Sequence, residues 1–447
     1  MEPRAAAIES APAPAAGVSV GEVFADFPFT REHVKSCLAL FFVFVIDAWE
    51  SMIIVYASAS LRADFALSPL ALGNLIGAIF VGMALGALVW GRIGNWIGRK
   101  RCLMWSMGCY GALSLLSAFA PDYAALYALR LLAGFAAAGM MVVTFPYFEE
   151  LLPVRVRGPA SVFLATGWPI GMLCALAVSV LWAGHGWRWI IGVSSLAALW
   201  LLVVGALVPE SPYWLAGAGR GEAARAVLQR LAAGRARLPD APLYVEPVRH
   251  VRLREVLHGT LGRITALQCL LNFAFAWGYW GLQTWLPTLL EQRGLSLPES
   301  YGFIVLSALW MIPGYVSAAW LTHRYGRRSV MVAYVGLATV AGFVFAGAHN
   351  LPMLYAGNFA MVFFSQGAWG VWDTWMGEFY PTASRTLGYG LGTLAQRLAN
   401  IAAPSAIGAM VAAGAGFGTI TAFINVFLLS TLCMAWLLPE TEGHRLD

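Results

Sequence analysis

Five ionisable side chains stand inside long apolar runs: Asp47, Glu50, Arg130, Asp373 and Arg397. A charge facing lipid there would be costly, so these side chains should line a cavity or meet a partner. Asp47 and Glu50 are spaced i and i+3, which on a helix puts both carboxyl groups on one face. Asp47 lies about ten residues into its run, roughly 15 Å deep at 1.5 Å per residue. Burial disfavours a charged carboxylate, which suits a group that takes up and releases protons. The competing reading of this pair is a structural counter-charge for Arg130. Arg397 sits near the middle of its run. A guanidinium suits bidentate recognition of a carboxylate, so Arg397 is the candidate for holding an anionic substrate, with a salt bridge to Asp373 or Asp47 as the alternative. Asp373 falls late in its run and reads as an inner-gate or interface charge.

Two other runs are crowded with aromatic residues: Phe273, Phe275, Trp277, Tyr279, Trp280 and Trp285, then Phe363, Phe364, Trp369, Trp372 and Trp375. Phe273, Trp277 and Trp280 fall at i, i+4 and i+7 and share a helix face, as do Trp369 and Trp372. Asn272, Gln283 and Gln366 supply polar points. An aromatic cage with a few hydrogen-bonding groups fits a flat organic ring. Packing or lipid contact is the alternative for each ring. No cofactor or metal is expected. The six cysteines lie in or at the edges of apolar runs without CxxC spacing, and no Walker loop or other nucleotide signature is present.

These residues must be held by membrane-spanning elements. The chain has 447 residues, 60% hydrophobic and only 11% charged, with a net charge of +5. A soluble domain carries about 25% charged residues, so a soluble enzyme, a disordered chain and a nucleic-acid binder are excluded. Twelve runs are long enough to span a bilayer as helices: 37–61, 69–91, 102–119, 123–147, 159–184, 187–208, 264–289, 302–321, 329–348, 352–376, 385–413 and 416–438. The expected fold is an all-α polytopic membrane protein with two six-helix bundles, 37–208 and 264–438. A tail (1–36), a central loop with short helices (209–263) and a second tail (439–447) complete it. Of the 28 Lys and Arg, only Arg62, Arg188 and Arg293 fall to the outside loops and Arg130 and Arg397 to the spans. The positive-inside rule then predicts a multi-pass protein of the cytoplasmic membrane with both termini cytoplasmic.

The two bundles repeat each other. Gly98-Arg99-Lys100 matches Gly326-Arg327-Arg328, and Glu150-x-x-Pro153-x-x-x-Arg157 matches Glu378-x-x-Pro381-x-x-x-Arg385, both at an offset of 228. Pro209-Glu210-Ser211 matches Pro439-Glu440-Thr441 at 230. Such duplication characterises secondary transporters, whose site lies at the repeat interface near the midplane. The repeat also acts as a control. Ala48-Trp49 matches Ala276-Trp277, but Asp47 falls opposite Phe275 and Glu50 opposite Gly278, so the fold itself does not require acids there. Glu150, Arg157, Glu378 and Arg385, with Arg99 and Arg327, are expected to form ion-pair networks between the halves that close the inner side.

Gly91-Arg92-Ile93-Gly94-Asn95-Trp96-Ile97-Gly98-Arg99-Lys100 resembles the loop signature of the major facilitator superfamily, and Arg130-Leu-Leu-Ala-Gly134 with Gly139 resembles its fourth-helix signature. Pro209-Glu210-Ser211-Pro212-Tyr213-Trp214-Leu215 and Pro439-Glu440-Thr441 resemble motifs of sugar porters and organic-ion transporters. Asp47-Ala48-Trp49-Glu50 is similar to the niacin-transporter and synaptic-vesicle-protein-like branch. The resemblance implies a gating or proton-coupling role for Arg130. It also implies anion recognition by Arg397, which stands seven residues before Pro404 as the arginine of the anion-carrying branch does. Asn95 and Trp96 depart from the family's Asp and basic residue, which implies a weaker inner lock.

The combined expectation is a non-enzymatic, monomeric transporter in the lipid bilayer. It would take up a small organic anion, an aromatic or heterocyclic carboxylate, together with protons and by alternating access. Proton-driven export of organic cations and a non-transporting receptor on the same fold remain as alternatives.

Overall fold

The computed structural model describes residues 17–245 and 253–441. The start of the expected tail (1–16), part of the expected central loop (246–252) and the end of the chain (442–447) lie outside the described residues. The described residues form twelve long helices: α1 Arg31–Tyr56, α2 Pro69–Ile97, α3 Arg99–Ser117, α4 Tyr123–Glu150, α5 Val154–Leu181, α6 Trp187–Leu207, α7 Gly259–Gln283, α8 Leu297–Tyr325, α9 Arg327–Ala346, α10 Leu351–Glu378, α11 Thr382–Ala412 and α12 Phe417–Leu437. Eight of them are long and apolar enough to cross a membrane by length and composition alone. The other four, α3, α7, α10 and α11, carry the basic start of α3, the amides and tryptophans of α7 and α10, and the arginines of α11.

Several helices begin before the apolar run that marks them in the sequence. Hydropathy places the start of the first span at residue 37, but α1 starts at Arg31, where Thr30 caps it by accepting from the Glu32 amide. Polar residues fill the first turn because orphan amides there are satisfied by the cap and by water.

Helix pairing repeats across the two halves. The pairs α2 with α4, α3 with α4 and α1 with α5 recur as α8 with α10, α9 with α10 and α7 with α11. The halves meet mainly through α2 against α11 and α5 against α8. The duplicated motifs all lie at one end of the molecule, the basic end, where α1, α5, α7 and α11 begin.

The expected solvated tail does not describe residues 18–27. Val18–Ser19 pairs in parallel with Leu243–Tyr244 of the central segment. The short helix Val20–Ala25 that follows buries Val20 and Phe24, and Phe24 stacks on Tyr213 with ring centroids 5.7 Å apart. The central segment forms the helix Gly221–Ala232, whose Leu228 and Leu231 are buried. Its Arg230 pairs with Glu32 at 3.3 Å, and the Thr30 hydroxyl donates to the Leu231 carbonyl at 2.7 Å. Apolar residues at Val20, Phe24 and Phe27 are spaced three to four apart, an amphipathic signal of one buried helix face.

Candidate functional site

At 1.5 Å per residue, Asp47 on α1, Trp168 on α5, Gln366 on α10 and Arg397 on α11 all lie roughly 18–24 Å from the basic end. They form one layer near the middle of the molecule. Asp47 is 4% exposed and its Oδ1 has no hydrogen-bond partner among the described residues. Arg397 is 8% exposed, makes no ion pair within 4 Å among the described residues, and rests one guanidinium nitrogen on the Met141 sulfur of α4. Asp47 is the acid whose charge acts most strongly on Arg397, and the interaction is mutual. It reaches from one half of the molecule to the other.

Glu50 lies one turn further on and belongs to a different pair. It is buried with both carboxyl oxygens unpartnered, facing Arg130 and Ser114. Arg130 is fully buried and reaches the Glu50 carbonyl and the Ser114 hydroxyl, each at 3.4 Å. The face shared by the two acids thus divides. Asp47 looks across the halves, and Glu50 stays within its own.

The aromatic face of α7 also divides. Trp277 stacks on Phe427 of α12 at 4.7 Å, with Phe273 packed beside it. These two rings hold α7 against α12 and do not join the central layer. Trp49, the repeat equivalent of Trp277, does the same in the first half by donating to Ser194 of α6 at 3.0 Å. Trp372 is fully buried and donates to Asn272 Oδ1 at 3.0 Å, while the Asn272 amide reaches the Gln268 carbonyl and Met376. Asn272 and Trp372 therefore tie α7 to α10. Gln283 is buried at the far end of α7.

Trp280 and Trp369 do reach the centre. Trp280 meets Phe80 of α2 and Trp168 of α5. Trp369 stacks on Phe275 at 4.3 Å and meets Tyr279 edge-on. Trp168 Nε1 donates to the Tyr279 hydroxyl at 2.8 Å across the halves, and Tyr315 of α8 donates to Gln366 Oε1 at 2.9 Å. Tyr315 and Met141 carry no signal in the sequence that marks them for the site, and Tyr279 stands there only as one of many aromatics. Trp168 is flanked by Gly167 and Pro169, the one local signal that it is placed for something other than bulk packing.

The basic end holds two matching networks. Arg99 pairs with Glu150 at 3.3 Å and donates to Asn95 Oδ1 at 2.6 Å. Glu210 Oε1 accepts from the amides of Arg99, Lys100 and Ser211 at 2.9, 3.0 and 2.9 Å. In the second half Arg327 pairs with Glu378 at 3.1 Å, and Glu440 accepts from the amides of Arg327, Arg328 and Thr441. Gly98 and Gly326 open these turns at φ +100° and +84°, which a side chain would resist. Among the described residues these contacts join parts of one half, where the expectation had them bridge the two. The reason is geometric: each arginine opens one helix beside the end of the next helix of the same bundle. Arg157 is held by the Leu152 carbonyl and the Tyr213 hydroxyl at 3.1 and 2.9 Å, whereas Nε and Nη2 of its counterpart Arg385 have no partner among the described residues.

The two ends of the molecule differ. At the end opposite the basic one, Tyr301 donates to the Tyr56 carbonyl at 3.4 Å, and Gly73 of α2 lies against Pro404 of α11. A cavity of about 400 Å³ remains outside that contact, lined by Arg62, Glu291 and Tyr301 among others. Towards the basic end, no hydrogen bond or ion pair joins the halves among the described residues. Asp373 and Tyr389 are exposed there although they belong to inner helices, and the Asp373 charge acts on both Tyr389 and Tyr315. Among the described residues the hydrogen bonds between the halves thus lie at the far end and in the central layer.

Known proteins resemble this chain over nearly its whole length. The family described as sugar (and other) transporter matches residues 21–447. The niacin transporter NiaP of Acinetobacter baylyi is 30% identical over 427 residues, covering 94% of this chain and 97% of the relative. The synaptic vesicle 2-related protein of Bos taurus is 27% identical, over 90% of this chain and 77% of its own. Among solved structures, the xylose transporter XylE from E. coli, in a partially occluded inward open conformation, superposes with a TM-score of 0.74 at 18% identity. That match covers 93% of this chain and 100% of XylE, and at this identity it speaks for the fold alone.

Proposed function

The chain belongs to the sugar (and other) transporter family of the major facilitator superfamily and is a secondary transporter, and from that premise we propose that it takes up a small organic anion together with protons. The anion is an aromatic or heterocyclic carboxylate, carried by alternating access. The observation that carries this reading is Arg397: a buried arginine in the central layer, without an ion pair among the described residues, facing Asp47 across the halves. A guanidinium so placed can take a substrate carboxylate through two parallel hydrogen bonds. The similarity to a protein named for niacin transport supports a heterocyclic acid.

Coupling follows from competition. Without substrate, Arg397 and Asp47 offset each other's charge. A substrate carboxylate on Arg397 leaves Asp47 with a weaker counter-charge, and protonation of Asp47 removes the repulsion. Anion and proton then favour each other's binding by the same factor, as linkage requires. Glu50 with Arg130 forms a second acid–base pair that can relay the proton. Trp280, Trp369 and Gln366 flank the ring. Arg99, Glu150, Arg327, Glu378, Asn95, Arg157, Arg385 and Asp373 serve the gate at the basic end. The excess of Lys and Arg at that end supports placing it, with both termini, on the cytoplasmic side of the cytoplasmic membrane. The central layer is complete within one chain, which supports a monomer.

Arg397→Ala tests the reading. Uptake of an aromatic carboxylate should fall by roughly 10- to 100-fold, the loss expected for a charge-assisted hydrogen-bonded pair, while the protein still inserts in the membrane and elutes as the wild type does. Wild-type uptake by that variant would refute the assignment.

A further inference from the structure

Two buried donors in the central layer lack a good acceptor. Tyr315 donates to Gln366 Oε1 at 2.9 Å, which fixes the amide so that Nε2 points away from Tyr315. Gln366 is 1% exposed and Nε2 has no hydrogen-bond partner among the described residues. The Tyr279 hydroxyl lies near enough for its oxygen to attract the Gln366 amide, though beyond hydrogen-bond distance. Its oxygen already accepts from Trp168 Nε1, an indole nitrogen that can only donate. The hydroxyl hydrogen is left with the Met172 sulfur at 3.8 Å, a weak acceptor. Unmet donors this deep are uncommon in folded proteins and ask for an explanation.

Their surroundings are flat and apolar. Trp280, Trp369 and Trp168 surround the Tyr279 ring or its hydroxyl, and the residues come from both halves. We propose that Gln366 Nε2 and the Tyr279 hydroxyl are specificity-determining donors for a hydrogen-bond acceptor on the substrate ring, a heteroatom lone pair or a carbonyl oxygen, at the end remote from the carboxylate. The inference rests on the assignment of Arg397 as the carboxylate ligand. It goes further by splitting the substrate class: rings with an acceptor are favoured over rings without one. A ring that lacks the acceptor leaves both donors desolvated and unpaired, and sites built this way reject such analogues more strongly than apolar pockets reject a missing methylene.

The test uses the purified full chain and two acids of nearly the same shape, pyridine-3-carboxylate and benzoate. Wild-type protein should bind the pyridine acid more tightly by on the order of tenfold, the worth of about one buried hydrogen bond. Gln366→Leu should weaken the pyridine acid by that factor and, by removing a donor that benzoate cannot satisfy, leave benzoate as tight or tighter, so that the ratio narrows; elution as for the wild type reports that the variant is folded. If Gln366→Leu does not fold, Tyr279→Phe removes only the hydroxyl and should narrow the same ratio. A ratio unchanged in the folded variants, or a wild type that binds both acids equally in an Arg397-dependent way, overturns this inference and leaves the carboxylate reading standing. If neither acid binds wild-type protein, both fall.

Discussion

Asp47 has a neighbour in Arg397 but, among the described residues, no hydrogen-bond partner on Oδ1, so its charge is offset without being locked in place. Asn keeps the shape and removes the titratable group. Asp47→Asn should therefore fold, retain exchange of substrate across the membrane, and lose accumulation driven by a proton gradient. Proteoliposomes with and without an imposed pH gradient separate the two, and gradient-driven accumulation by the variant would remove Asp47 from the coupling step. The five membrane charges were legible as exceptions to an apolar background. Their partners were not, because partner choice depends on which way each side chain turns. Asp47 and Glu50 share a helix face yet serve different arginines. Trp277 and Trp280 are three residues apart yet face α12 and α5. The repeat held a clue for Trp277: a tryptophan found at the same place in both halves is needed by both halves, and the centre of the site is not duplicated.

Among the elements, the junction between the short helix Ser58–Phe65 that follows α1 and the start of α6, at the end opposite the basic one, carries a charge whose effect depends on pH. Trp187 Nε1 and Arg188 Nη1 both donate to Asp64 Oδ2, at 2.8 and 2.5 Å, and Arg188 lies over the Trp187 ring. These hydrogen bonds, Trp187 first, hold the Asp64 carboxyl below the usual carboxylate range. The unfolded chain has the ordinary value, near 4. The lowered native value means the contribution is present in full above about pH 4 and is lost as pH falls through the native value. Melting curves of wild type and Asp64→Asn should differ at neutral pH and converge in acid. A difference that persists unchanged at low pH would show that the link does not depend on the charge. Span number was readable because each helix needs about 20 apolar residues. The clasp of Val18–Ser19 on Leu243–Tyr244 was not, because a two-residue pairing between distant segments has no periodicity of its own.

The whole molecule is closed at one end by two helices in backbone contact. A Cβ on Gly73 of α2 would sit 2.4 Å from the Pro404 carbonyl of α11, in the other half. A Cβ on Gly82, further along the same helix, would sit 1.9 Å from the Leu131 carbonyl of α4, in the same half. Both positions forbid a side chain, but for different reasons. Under alternating access α2 and α4 move as one body, so Gly82→Val has no state that relieves the clash. It should cost stability, about 1–3 kcal/mol as overpacking usually does, and appear as a lower melting temperature. Gly73→Val clashes only while the halves are shut at that end. The molecule can escape by parting α2 from α11, so the melting temperature should change less and the population should shift towards the state open at the far end. A cysteine introduced at Tyr301, where the far-end contact forms, should then react faster with a membrane-impermeant thiol reagent added from that side in Gly73→Val than in wild type, while net uptake falls because closure is blocked. If Gly73→Val instead only melts earlier and the thiol reacts no faster, the α2–α11 contact is a fixed seam and the halves must part elsewhere.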